Sequence, residues 1–235
     1  MGKKTLWISL LALAIVLLFF ESTNTDIFLQ EWLFSPADKT WFLKDPHKIY
    51  RAIFYTGIKI PIYFIGLFCL YGSVVSIAKN KWNEHRKGFL IVILTLIILP
   101  TTIALIGKRY TNVQCPEDVT HFGGSIPYVK LFDSYPKNPN SPDGKWFPGH
   151  CFPAGHASGG FGLISLVFLF KKRKQKILAF LIGLSMGTIM GGYQMLRGAH
   201  FISHNIVTML LAIILISTLN LLIKDYSNES SQNQK

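Results

Sequence analysis

An all-α membrane bundle of six transmembrane helices is the fold class this sequence predicts, and three observations predict it. Half of the 235 residues are hydrophobic, with a mean hydropathy of +0.34. The apolar residues gather into six long runs, at about 5–20, 55–78, 88–107, 155–170, 177–197 and 201–223. Each is close to the ~20 residues a helix needs to cross about 30 Å of hydrocarbon, although the first is short. The basic residues cluster in alternate connections between the runs. The chain reads as a single integral membrane domain over 1–235, with long outer loops at 21–50 and 108–152.

A formal net charge of +12 raises nucleic acid as a partner, but the placement of the charge argues against it. The clusters are Lys3 and Lys4; Lys79, Lys81, Arg86 and Lys87; and Lys171, Lys172, Arg173, Lys174 and Lys176. With six spans all three fall on one side, which the positive-inside bias makes cytoplasmic, together with both termini. Nine of the twelve acidic residues fall in the two outer loops. The basic excess is therefore topological, and the lipid bilayer rather than nucleic acid is the expected partner. Oligomeric state is not legible.

The first run follows two lysines, as a signal peptide would, but Phe-Phe-Glu-Ser-Thr has no small-x-small cleavage pattern, so an uncleaved span is expected. In the first outer loop, Trp32, Phe34, Trp41 and Phe42 among acids and amides predict an amphipathic segment on the outer leaflet. The second run carries Pro61, Gly66 and Gly72, which membrane helices tolerate where neighbours pack closely, and an inert Cys69. The third ends at Gly107, and Lys108 and Arg109 follow at the outer interface. Snorkelling explains such cations, yet the positive-inside bias disfavours them there.

The loop from Lys108 to His150 is rich in Gly, Pro, Asn, Asp and Ser and is expected to be built of turns. Cys115 and Cys151 bracket its irregular part and would face an oxidising compartment, so a disulfide between them is expected. Two free thiols, or Cys151 with His150 at a metal, are the alternatives; neither has the spacing of a zinc site. The fifth run holds Gly183, Ser185, Gly187, Gly191 and Gly192, small residues that permit close helix approach. The tail from Asp225 to Lys235 is polar, low in aromatics and expected without fixed structure.

Polar groups collect at one membrane depth: Lys108, the Ala154-Gly155 backbone opening a helix, His156, Gln194, Arg197, His200 and His204. A histidine at the mouth of a membrane helix is costly without a partner or a task. Cations beside the first amides of a helix favour an anion, with phosphate the natural occupant. Histidines on two different runs supply the attacking nitrogen and the proton donor that phosphate ester cleavage needs. His200 and His204 stand four apart and are expected to share a helix face, so that His204 fixes the tautomer of His200.

Three segments carry a resemblance: Lys108-x6-Cys115-Pro116, Pro153-Ala154-Gly155-His156 and Tyr193-Gln194-x5-His200-x3-His204. In order, spacing and membrane side they resemble the motifs Lys-x6-Arg-Pro, Pro-Ser-Gly-His and Ser-Arg-x5-His-x3-Asp of the type 2 phosphatidic acid phosphatase (PAP2) superfamily. The likeness runs from about Ile60 to Ile223. It implies a PAP2-like core, a metal-independent lipid phosphatase without cofactor, and a phosphohistidine intermediate. It makes His200 the nucleophile, His156 the acid and later the base, and Lys108 a phosphate ligand. Arg197 stands one turn from Gln194 as a substitute cation, and Arg109 is a candidate substitute at the motif position of Cys115. The Cys-Phe-Pro-Ala-Gly-His-Ala-Ser and Arg-Gly-Ala-His-Phe-x-Ser-His runs are similar to those of bacterial inner-membrane lipid A phosphatases, which implies an active site facing the periplasm. Four positions depart from the motifs: Cys115 for arginine, Ala154 for serine, Gln194 for arginine and His204 for aspartate.

Three other readings stand beside a lipid phosphatase. A lipid-to-lipid phosphotransferase would use the same groups. A non-catalytic lipid-phosphate-binding relative would keep the fold while motif positions drift. A haem or metal electron carrier would need paired histidines deep in facing spans, whereas these lie at one interface beside cations.

Overall fold

The structure, a computed structural model, describes residues 1–43 and 48–225. It is built on helices: α1 (Lys3–Ser22), α2 (Thr25–Glu31), α3 (Lys48–Arg51), α4 (Lys59–Ala78), α5 (Asn83–Thr102), α6 (Lys108–Thr111), α7 (Gly155–Gly162), α8 (Arg173–Leu196) and α9 (Ile202–Leu222). A two-residue hairpin, β1 (Phe34–Ser35) with β2 (Thr40–Trp41), follows α2. Two π-helical turns lie just outside the long helices, Ala52–Gly57 before α4 and Ile103–Gly107 joining α5 to α6. The expected tail reading falls, from Tyr226 on, outside the described residues.

Among the described residues five helices are long and apolar enough to cross a membrane, against the six full spans expected. The fourth run is a shorter apolar helix, Gly155–Leu169. Its first half is the glycine-rich α7 and its second half, Leu163–Leu169, is wound as a 3-10 helix. The tighter winding rises about 2.0 Å per residue, so fifteen residues reach roughly 26 Å. The stretch compensates in part for the missing turn.

Lipid tails are as apolar as leucine, so burial against water does not hold such helices together; close packing and satisfied polar groups do. α7 and α8 meet through glycine: a Cβ on Gly187 would stand 2.2 Å from the Phe161 ring, and one on Gly183 would stand 2.3 Å from the Ile164 amide nitrogen. Ile91, Leu99, Ile103, Phe161, Ile164 and Ile216 form the main buried cluster between α5, the α7 segment and α9. Hydroxyls inside the spans bond back to their own helix, Ser73 Oγ to Cys69 O at 2.8 Å and Thr95 Oγ1 to Ile91 O at 2.7 Å.

The basic clusters share one end of the bundle. There Lys171 pairs with Glu84, and Asn220 Nδ2 donates to Met1 O at 2.6 Å. The opposite end gathers the start of α7, the end of α8 and the start of α9 beneath the two long loops. The first of these loops is not only a leaflet-surface segment. Trp32 and Phe42 are exposed, but Phe34 and Trp41 pack with Phe122, their ring centroids 4.9 to 5.4 Å apart. Cys115 and Cys151 are joined by a disulfide, with Cα atoms 5.2 Å apart.

Candidate active site

His200 sits in the turn between α8 and α9, and the turn is held from three sides. Gln30 Nε2 on α2 donates to Met195 O at 2.8 Å, Leu43 N donates to Leu196 O at 3.0 Å, and Glu117 N donates to Gly198 O at 2.9 Å. Gly198 has φ +75° and lies under Trp41, where a Cβ would come within 2.3 Å of the indole. On the other side of His200, Asp26 caps α9. Its carboxylate accepts from Ser203 N at 3.0 Å and from Ser203 Oγ at 2.5 Å. Burial pushes the Asp26 carboxyl up to about 6 despite those two donors.

The imidazoles of His200 and His204 meet Nδ1 to Nδ1 at 3.3 Å, both buried. Sequence spacing predicts a shared helix face; the structure brings the pair together instead across the entry to α9, since His200 precedes the first helical residue. With the shared proton on His200 Nδ1 and donated to His204 Nδ1, the far nitrogen of His200, Nε2, carries a free lone pair. Burial, then the neighbouring His204, Lys108 and His156, hold His200 well below the usual imidazole range.

α7 enters from Cys151-Phe152-Pro153-Ala154, which is tied down on both flanks. Cys151 N donates to Val113 O at 3.0 Å and Thr111 Oγ1 donates to Phe152 O at 2.9 Å. Ala154 N donates to His204 O at 3.3 Å, and Ala154 O accepts from Thr208 Oγ1 at 3.1 Å. The Ala154 backbone, expected among the phosphate-binding groups, is thus engaged with α9 and acts as a brace. No side chain caps α7, so its first amides are left without an acceptor from the cap. Lys108 lies against that helix start: a Cβ on Gly155 would stand 3.3 Å from Lys108 Cε and 3.6 Å from Nζ.

His156, the second residue of α7, is half-buried, with its ring 4.6 Å from that of Tyr55. It lines a cavity of about 370 Å³ with Lys59, Lys108 and Gly155 at one end and Ile62, Leu96 and Met190 among its apolar lining. Arg197 lies over the Tyr193 ring at 5.8 Å and donates to Gln194 Oε1 at 3.4 Å, so the buried Gln194 orients the cation. Arg109 is not brought in: it is exposed and lines a separate cavity of the outer loop with Tyr135 and Trp146.

Cys151 Sγ, His200 and His204 offer atoms within 4.8 Å of one another, as a metal site would. The Cys151 sulfur is bonded to Cys115 and has no thiolate to offer, so two imidazoles remain, too few for a closed site. Sequence reasoning missed Tyr55, Lys59, Asp26 and Gln30, and read Trp41 as a residue of the leaflet surface. Lys59 alone carried a readable signal, as a cation on the edge of an apolar run. A model of the PAP2 superfamily matches residues 88–227, more than half of the chain. No curated protein and no solved structure gives a match.

Proposed function

The chain belongs to the PAP2 superfamily of phosphatases, and from that premise we propose that it hydrolyses a membrane lipid phosphate through a phosphohistidine on His200. The observation that carries the reading is the 3.3 Å contact between the Nδ1 atoms of His200 and His204 beside Lys108 and the uncapped start of α7. The phosphoryl oxygens bind Lys108, Arg197 and the first amides of α7. His200 Nε2 attacks phosphorus, the N–P bond forms, and the P–O ester bond breaks as His156 gives its proton to the departing oxygen. His156 then takes a proton from water, whose oxygen displaces His200 from phosphorus and releases inorganic phosphate. His204 acts as a positioning residue by accepting or holding the proton on His200 Nδ1.

The basic clusters at the far end of the bundle support a cytoplasmic assignment for that end and a periplasmic one for the site, in a bacterial inner membrane. Lipid A, undecaprenyl diphosphate, phosphatidylglycerol phosphate and phosphatidic acid each present a phosphate at the required depth. The test is phosphate release from those four lipids in detergent with EDTA present. The expected result is release from at least one, lost in His200→Ala and in His156→Ala; normal turnover in both variants overturns the reading.

A further inference from the structure

The motif positions that the superfamily fills with arginine hold Cys115 and Gln194 here, one in a disulfide and the other bonded to Arg197. A cation nonetheless stands where the sequence motifs do not look. Lys59 opens α4, outside residues 88–227, and its Nζ lies over the Tyr55 ring at 4.3 Å. The same ring stacks at a tilt on His156, centroids 4.6 Å apart. Lys59 therefore does not reach out to water as a snorkelling lysine would; it is folded back over Tyr55 beside His156. Among the described residues, no carboxylate forms an ion pair with Lys59 or Lys108. Two cations lining one cavity without an anion favour an anionic ligand. Lys59, Lys108 and Arg197 are the cations whose charge reaches His156.

The cavity also says what the anion carries. From the start of α6 through the π-helical turn into α5, its lining runs from Lys108 back through Ala104 and Pro100 to Leu96. At about 1.5 Å per residue that is roughly 18 Å of helix. The wall away from the cations is apolar, with Ile62, Tyr63 and Met190 across from Leu96. A phosphate at the charged end would leave this wall for a hydrocarbon chain attached to it.

We propose that Lys59 is a phosphate ligand of this site, leaving the Tyr55 ring to meet a lipid phosphate whose chain lies along the Ile62, Leu96 and Met190 wall. The proposal rests on the phosphatase reading for its ligand class, so its test reads binding and not turnover. The probe is the non-hydrolysable phosphonate analogue of dioctanoyl phosphatidic acid, with dioctanoylglycerol as the chain-matched neutral control, titrated into the full-length protein in detergent. Lys59→Met is expected to weaken phosphonate binding about tenfold or more, the size of one lost charge-assisted hydrogen bond. Lys59→Arg is expected to stay within about threefold of wild type, and dioctanoylglycerol to bind all three alike. Equal phosphonate affinity in Lys59→Met overturns the proposal, as does a matching loss for dioctanoylglycerol, which would mark a packing role. Lys59→Gln serves in place of Lys59→Met should the latter not elute as a monodisperse species. A protein that binds the phosphonate through Lys59 yet releases no phosphate from any lipid would overturn the phosphatase reading alone.

Discussion

His204 presents its Nδ1 to the Nδ1 of His200 at 3.3 Å, placing a neutral imidazole where the superfamily motif has a carboxylate. Such a partner orients His200, the proposed nucleophile, but would offer no negative charge to an imidazolium formed there. His204→Ala is expected to lower kcat by about 100-fold or more, as loss of a positioned proton partner does. His204→Asp is expected to keep activity within about tenfold. A nearby anion favours the charged form of His200, so the acid limb of the pH profile should move to higher pH in His204→Asp. Initial rates across pH on one lipid phosphate check both outcomes.

In the unaltered protein the acid limb should lie low. Burial first, and the neighbouring His204, Lys108 and His156 after it, disfavour the protonated form of His200. The lone pair then remains available below the ordinary histidine value of about 6.5. The expected outcome is kcat/KM that holds as pH falls through 6.5; a decline centred there would contradict it.

Asp26 gives a pH dependence of stability with a defined sign. Its folded value of about 6 exceeds the ordinary aspartate value of 3.8 because the carboxyl is buried. Folding therefore retains a proton that the unfolded chain releases, and stability is greatest below about 4 and is lost as pH rises through about 6. Asp26→Asn keeps an acceptor for Ser203 N and removes the titration, so its melting temperature in detergent should vary less between pH 4 and 7. Asp26→Ala removes the α9 cap as well and should cost on the order of 1 kcal/mol.

Gly198→Ala strains two things at once. A side chain at φ +75° costs of order 1–3 kcal/mol, and its Cβ would meet Trp41 at 2.3 Å. The turn carrying His200 must shift, so kcat should fall together with thermal stability. Trp41→Ala in the same variant should restore part of both.

Opening the Cys115–Cys151 bridge releases a loop of 36 residues in separation. On the chain-entropy model the bridge contributes roughly 3 to 4 kcal/mol. Cys151 Sγ is also 3.4 Å from His200 Nδ1. Cys115→Ser with Cys151→Ser is expected to lower the melting temperature and to lose activity before it unfolds, which parallel melts and rate measurements will show.

What the sequence made legible were groups with a local signature. The apolar runs located the long helices to within a few residues, because hydrocarbon thickness fixes their length. Lys108, His156, Arg197, His200 and His204 were readable because each begins or ends such a run. The fourth run, expected as a full span, is the shorter helix Gly155–Leu169, and hydropathy registers neither its length nor the change from α to 3-10 winding at Leu163. Arg109 was a candidate substitute for the motif arginine at Cys115, but one residue beyond Lys108 is a large rotation on a helix and sends it to the loop cavity. The contacts of Gln30, Trp41 and Asp26 were invisible for a different reason: their partners Met195, Gly198 and Ser203 lie more than 150 positions away, and nothing in α2 or the hairpin records that separation.

The three donors from Gln30, Leu43 and Glu117 converge on Met195, Leu196 and Gly198, one turn before His200. Both extramembrane loops are thus wired to the same few carbonyls. A domain inserted at the β1–β2 hairpin or near Glu117 would tug on His200 and slow the enzyme, whereas a fusion beyond the far end of α9 would leave it untouched. For purification or imaging, the basic end of the bundle is the place to attach a handle.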